Sequence, residues 1–344
     1  MPRADAMIAG VRISGIGQLS ALGRGKAALE QALAGSRLPQ LVIKNVVTAR
    51  GVVEVPVYQA PEVVLPPEVP ESVRRRMPRI SRMFHATVLD AMADAFGPGA
   101  PVHDPERIGL VVGTGLGCLD SANTFHRRVI LEGAVGSSPT LFANSVPNAL
   151  AAHLSISCGL RGPTCTVTTM EQSTFGAFRV AVDWIGNDSA DHVVLAIGDE
   201  LIDFNAYVVA HKPEIPRELR PRAPGCTVVA GEGVAVFVLS RDGTLGKSGT
   251  CRIEDVQLCP ERCPDVPRVS VAAFGAAGQW ARYQRWIGRP GDEIDCHAQF
   301  FGSFVTGSAI ETAIAALRVS RDGLRTACVQ LTDRGEAQAL VLGP

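Results

Sequence analysis

A chain of 344 residues that is 46% hydrophobic and only 19% charged is long enough for a large buried core, and its 35 glycines and 23 prolines point to many tight turns of a globular α/β kind. Its formal net charge of -1 removes any general electrostatic case for nucleic acid or an anionic membrane as partner, and neither a signal peptide nor an apolar run near membrane-spanning length is evident, so a cytoplasmic location is expected. The nine cysteines are odd in number and scattered, hence expected reduced, and Cys259 and Cys263 lack the second pair or nearby histidine that a zinc site needs, so no metal is expected.

In chain order, the apolar run over residues 11–17 closes on glycines and predicts a strand, followed by a helix over 26–34 that ends at Gly35. Residues 37–70 are rich in Pro and Val without a clear period and read as extended connections. From Arg74 the pattern turns helical, with Met77, Ile80, Met83, Phe84, Val88, Ala91, Met92 and Ala95 recurring near three and four. Five arginines, Arg74, Arg75, Arg76, Arg79 and Arg82, open this helix. They fit a solvated helix start, a set of internal ion pairs, or a patch for an acidic partner. Residues 107–117 form a buried-type strand running into a glycine loop. The spacing is G-x-G-x-G and no ribose-binding acid follows about twenty residues on, which argues against a dinucleotide site. Pro147-Asn148 suits a turn in which Asn148 caps a helix reaching Ile156. Residues 164–169 are β-branched and nearly uncharged, the composition of a central or interface strand.

The segment Gly162-Pro163-Thr164-Cys165-Thr166-Val167-Thr168-Thr169-Met170-Glu171-Gln172-Ser173-Thr174-Phe175-Gly176-Ala177 is the most specific in the chain, and Ala190-Asp191, Gly198 and Glu200 follow it. It resembles the nucleophile elbow of β-ketoacyl synthases, where G-P-x-x-T-V-x-T runs into x-C-x-S-G-x-x-A, then A-D, then A-G-G-x-E. Aligned without a gap, Glu171 stands at the cysteine. Gly231-Glu232-Gly233 through Leu239 resembles the G-E-G-A-x-x-x-V-L strand of the same family. The resemblance implies a thiolase-like, layered αβαβα fold in two pseudo-symmetric halves, 1–243 and a shortened 244–344. It also implies a substrate presented on the phosphopantetheine of an acyl carrier protein, with no other cofactor. The 164–169 strand would pair across a dimer axis, and the 120–132 helix with the 142–147 loop would line a chain tunnel. Phe125, Phe142, Thr166, Thr168 and Met170 are then expected at the tunnel or the interface, and Arg74, Arg75, Arg76 and Arg79 become candidates for carrier-protein docking.

The chemistry expected of that family is missing. A cysteine at a helix N-terminus gains acidity and takes an acyl group as a thioester, whereas a carboxylate at Glu171 would form only a mixed anhydride. The two imidazoles needed for decarboxylation and oxyanion stabilisation fall, by the family's pattern, at Phe274 and Gly302. The register that gives Gly302 uses Glu311 as the terminal acid and places His297 at the family's lysine. His297 itself reads as a turn or surface histidine. Phe300, Phe301 and Phe304 fill the region, residues 332–337 replace the gating loop, and no helical stretch lies between 252 and 269. The resemblance thus implies a catalytically silent, chain-length-factor-like subunit that heterodimerises with an active ketosynthase. The alternatives are a malonyl-carrier-protein decarboxylase using Glu171 or Gln172, and a regulatory pseudoenzyme.

Overall fold

The computed structural model describes residues 10–35, 39–67, 69–100, 104–136, 138–210, 229–245, 251–271, 277–289, 294–332 and 334–344. The first half contains β1 (Val11–Ser20), β2 (Gly23–Arg24), α1 (Lys26–Leu33), β3 (Val42–Thr48), β4 (Gly51–Tyr58), α2 (Glu71–Arg74), α3 (Arg79–Phe96), β5 (Ile108–Gly113), α4 (Leu119–Glu132), α5 (Pro139–Ala143) and α6 (Ala149–Cys158). It continues through β6 (Thr164–Val167), α7 (Ser173–Gly186), β7 (His192–Asp199), α8 (Asp203–Ala210), β8 (Ala230–Gly231) and β9 (Gly233–Arg241). The second half holds β10 (Cys251–Gln257), β11 (Arg268–Val271), α9 (Ala277–Ile287), β12 (Ile294–Asp295), α10 (Ser308–Asp322), β13 (Thr326–Leu331) and β14 (Ala337–Gly343).

The main sheet runs β12-β11-β13-β14-β10-β1-β9-β7-β5-β6. One pairing pattern occurs twice in it. In the first half β1 and β7 flank β9 antiparallel, and β5 then β6 continue parallel from β7. In the second, β10 and β13 flank β14 antiparallel, and β11 then β12 continue parallel from β13. The halves join where Val11 to Ile13 of β1 pair with β10. Helices α7 and α10 each touch strands of both halves, so they form the middle layer. Helices α3 and α6 pack on the outer face of the first half with β1, β5, β7 and β9. Strand β7 is buried on both faces, Val193, Leu195 and Ile197 toward the middle layer and Val194 and Ala196 toward α3, which explains its unbroken apolar run. The second half is the reduced one: β11 has four residues, β12 two, and β10 connects to β11 without a helix.

Four expectations need correcting. Residues 42–58 are not plain connections but an antiparallel hairpin, with Val42 opposite Val57 and Thr48 opposite Gly51, and β8 adds a third strand. Valines stand on both of its faces, Val46, Val55 and Val57 inward and Val47 and Val52 exposed, and this hides the alternation a half-buried strand normally shows. The helix expected from Arg74 is divided by Pro78, which lacks the N–H to continue α2 and instead stands at the start of α3. Asn148 does not cap α6 with its side chain. It is already helical at φ -74 and ψ -8, and the backbone turn from Val146 O to Ala149 N does the work. The 164–169 strand ends at Val167, and of the two positions its composition allowed it takes the edge of the sheet rather than the centre. No helix among the described residues is long and apolar enough to cross a membrane.

Candidate functional site

The parallel strands β5, β6, β7, β11, β12 and β13 send their C-terminal ends toward one side, and the segments after them build the site. After β6 the chain passes through Met170, held at φ 55, and a single 3₁₀ turn, Met170–Gln172, before α7 begins. Ser173 fixes this elbow. Its Oγ accepts from Thr169 N and donates to Thr114 O, each at 2.9 Å. Glu171 is half-buried on the turn, at the N-terminal end of the 14-residue helix α7. Gln172 points away from it, its Nε2 donating to Glu336 Oε2 at 2.7 Å in the turn between β13 and β14.

The most enclosed group was missed in the sequence reading. Asp199, at the end of β7, accepts from Thr114 Oγ1 (2.8 Å), Gly115 N (3.1 Å), Leu116 N (2.8 Å) and Thr306 Oγ1 (2.7 Å). Burial lifts its carboxyl above the usual range against the pull of these four donors. It stands at an unspecified position of the family pattern, so only the three-dimensional convergence of the 114–116 loop and Thr306 reveals it. A Cβ at Gly115 would strike Val305, so the two loops are in full contact. Glu200 beside it is pushed up to about 8, by burial first and then by Asp120, with Arg79 opposing. Cys118, at the start of α4, is buried and its thiol is pushed up to about 12, so it is no substitute nucleophile.

Gly302 has φ 84, and a Cβ there would lie 2.8 Å from Gly231 Cα. The segment is zipped to β8 by Ser303 N to Val229 O (2.7 Å) and Gly231 N to Ser303 O (3.0 Å). Position 302 therefore has no room for a side chain of any kind. Phe274 lies outside the described residues. Phe301 and Phe304 are buried edge to face with ring centroids 6.0 Å apart.

His297 is not a surface histidine. Its Nδ1 is 2.6 Å from Glu311 Oε1, and its backbone N donates to Glu311 Oε2 at 3.0 Å. Burial disfavours the imidazolium, but Glu311 and then Asp295 overcome it and the histidine is raised above its ordinary value. The acid touches the ring in space but lies fourteen residues on in the chain, in the first turns of α10, so a local reading treats His297 as a loop residue.

Arg79 is an internal ion pair. Its two terminal nitrogens each lie 2.7 Å from the fully buried Glu232, and its Nε reaches Glu62 at 2.8 Å, which removes it from any docking surface. Arg74 and Arg82 are half-buried, while Arg75 and Arg76 are exposed. Helix α4 buries only Ser121. Phe125 and Phe142 have ring centroids 5.5 Å apart, Thr166 is half-buried, and Thr168, Met170 and Phe142 are exposed. Ile130 (80% exposed), Leu131, Val135 and Ile156 add a broad apolar surface on α4, α6 and the turn between α4 and α5.

The chain resembles known proteins in sequence and in fold. The chain is similar to nodulation protein E of Rhizobium leguminosarum bv. trifolii, 29% identical over 238 residues, which is 67% of this chain and 57% of that protein. It is also similar to nodulation protein E of Rhizobium meliloti (strain 1021), 33% identical over 168 residues, 47% of this chain and 41% of that protein. The chain thus spans about half the length of the curated relatives it matches. Among solved structures, the ishigamide ketosynthase/chain length factor shares the fold with a TM-score of 0.78 at 16% identity, over 97% of this chain and 99% of that one. The β-ketoacyl synthase N-terminal domain matches residues 66–244, more than half of the sequence, and the chain belongs to the β-ketoacyl synthase family.

Proposed function

We propose that this chain is a catalytically silent, chain-length-factor-type subunit. It pairs with an active β-ketoacyl synthase and helps shape the tunnel for an acyl or polyketide chain borne on an acyl carrier protein. The observation that carries this reading is the closure of position 302. Where the family pattern puts an imidazole there is a glycine packed backbone to backbone on Gly231, and the elbow presents Glu171 in place of a thiol. A carboxylate without an imidazole partner has no route to a transferable thioester. The likeness in fold to the ishigamide ketosynthase/chain length factor supports the same reading.

In this role the chain's own residues act by packing. The open edge of β6 offers unpaired backbone groups to a partner strand, and Ile130, Leu131, Phe142 and Met170 offer apolar area to be covered. Phe125, half-buried against Phe142, is placed to narrow a tunnel once the partner closes over it. The exposed Arg75 and Arg76 are what remains of the arginine cluster to meet an acidic carrier protein.

The test is co-expression with an intact synthase, followed by size-exclusion chromatography and intact-mass analysis after incubation with malonyl and acyl carrier proteins. A one-to-one complex acylated only on the synthase is expected. An acyl adduct on Glu171, or a lone chain that stays a stable monomer and binds no synthase, overturns the reading.

A further inference from the structure

Three elements meet at Glu311, a residue of α10 with a side chain 1% exposed. Its carboxylate takes the Ser270 hydroxyl of β11, the backbone N–H of His297 and the His297 ring nitrogen at 2.6 Å. His297 is the first residue of the segment that closes position 302. From it the chain makes the 3₁₀ turn Ala298–Phe300, bonds Gly302 N to Ala298 O at 2.7 Å, zips onto residues 229–231 and enters α10 at Ser308. The imidazole also stacks on Phe300, with centroids 6.0 Å apart. Its outer side lies on a groove of about 570 Å³ lined by Lys26, Glu30, Asp295 and Arg318, so protons from solvent reach it.

We propose that the His297–Glu311 pair is a proton-operated clasp: with the imidazole charged it holds segment 297–307 shut against residues 229–231, and with the imidazole neutral the segment opens. The family pattern has a lysine here, charged at all ordinary pH. A histidine makes the same contact titratable.

The groups that face the imidazole are mixed in sign. Glu311 from α10 touches it, and Asp295 from β12 lies behind. Arg318 of α10 is bonded to Asp295, which also lies 3.6 Å from Arg268 of β11. Lys26 and Glu30 of α1 and Arg321 of α10 stand across the groove. Burial opposes the charge, but the two nearest acids outweigh it.

The closed state thus binds the proton more tightly than the open one, where His297 titrates near its ordinary value of about 6.5. Between that value and the raised one, opening becomes easier as pH rises, by up to about tenfold per pH unit, and below it opening is insensitive to pH.

The clasp does not depend on the heterodimer reading, and its test is hydrogen exchange. Exchange of peptides covering residues 296–307 is measured on the full chain at pH 6 and pH 8.5, each rate divided by the unstructured-chain rate at that pH. The wild type should lose protection several-fold between the two. His297→Lys should hold it at both, and His297→Gln should lack it at both while peptides from β7 and β9 stay protected in all three. Equal pH profiles for the wild type and His297→Lys, or His297→Gln as protected as the wild type at pH 6, overturns the clasp.

Discussion

Position 302 can carry a hydrogen atom and nothing larger. With φ at 84 and Gly231 Cα in the path of any Cβ, Gly302→Ala combines left-handed strain with a backbone collision. The expected cost is about 1–3 kcal/mol from the strain alone, more if β8 cannot move. Urea unfolding of the two proteins measures it, and a loss below about 0.5 kcal/mol would show that the contact with Gly231 is loose. How far the sequence discloses such residues depends on distance along the chain. The place of Glu171 on the elbow can be read by counting from Gly162, because the elbow is local. The closure of Gly302 cannot, because residue 231 belongs to the other half, and His297 looks like a loop residue until Glu311 of the following helix is brought against it.

Among the elements, α4 shows how stability and association separate. Only Ser121 of its fourteen residues is buried, so its apolar side chains contribute little to the fold of the single chain. Ile130→Asp is therefore expected to leave unfolding free energy within about 0.5 kcal/mol of the wild type. The same change should abolish co-elution with a partner synthase by placing a charge where apolar surface is to be covered. Intact co-elution would place the contact surface elsewhere. Elements with a clear local pattern were legible: β5 announces itself as an unbroken apolar run into glycines, and α3 by its three-and-four spacing. The β3–β4 hairpin was not, because valines on its wet face erase the period that burial on the other face would impose. The break before α3 at Pro78 was written in the sequence, but the strong periodicity around it masked it.

For the molecule as a whole, two halves with one strand order share a buried carboxylate at their joint. Asp199 belongs to the first half and collects Thr114, Gly115 and Leu116 from it, yet it also receives Thr306 from the second. Asp199→Ala leaves these donors unpaired in an enclosed site. It is expected to cost about 2–5 kcal/mol, read from urea unfolding, whereas Asp199→Asn, which keeps an acceptor, should cost less. If both variants unfold like the wild type, the Asp199 carboxylate contributes nothing to the joint between the halves. The family resemblance made the paired halves and the shortened second one foreseeable, but not this joint, since no local pattern relates residue 199 to residue 306.

The shortened half also presents an uncovered side. Where β10 passes to β11 without a helix, the outer side of β10 turns Arg252, Glu254 and Gln257 to water. Arg252 meets Asp242 at 3.1 Å and Arg325 meets Glu254 at 2.7 Å along a groove of about 850 Å³. A face recently stripped of a covering helix would still show the apolar side chains that once met it. Complementary charges drawn from three separate segments instead suit a surface in contact with solvent. The uncovered side of β10 is thus finished with ion pairs, and the short second half needs no further helix to be complete there.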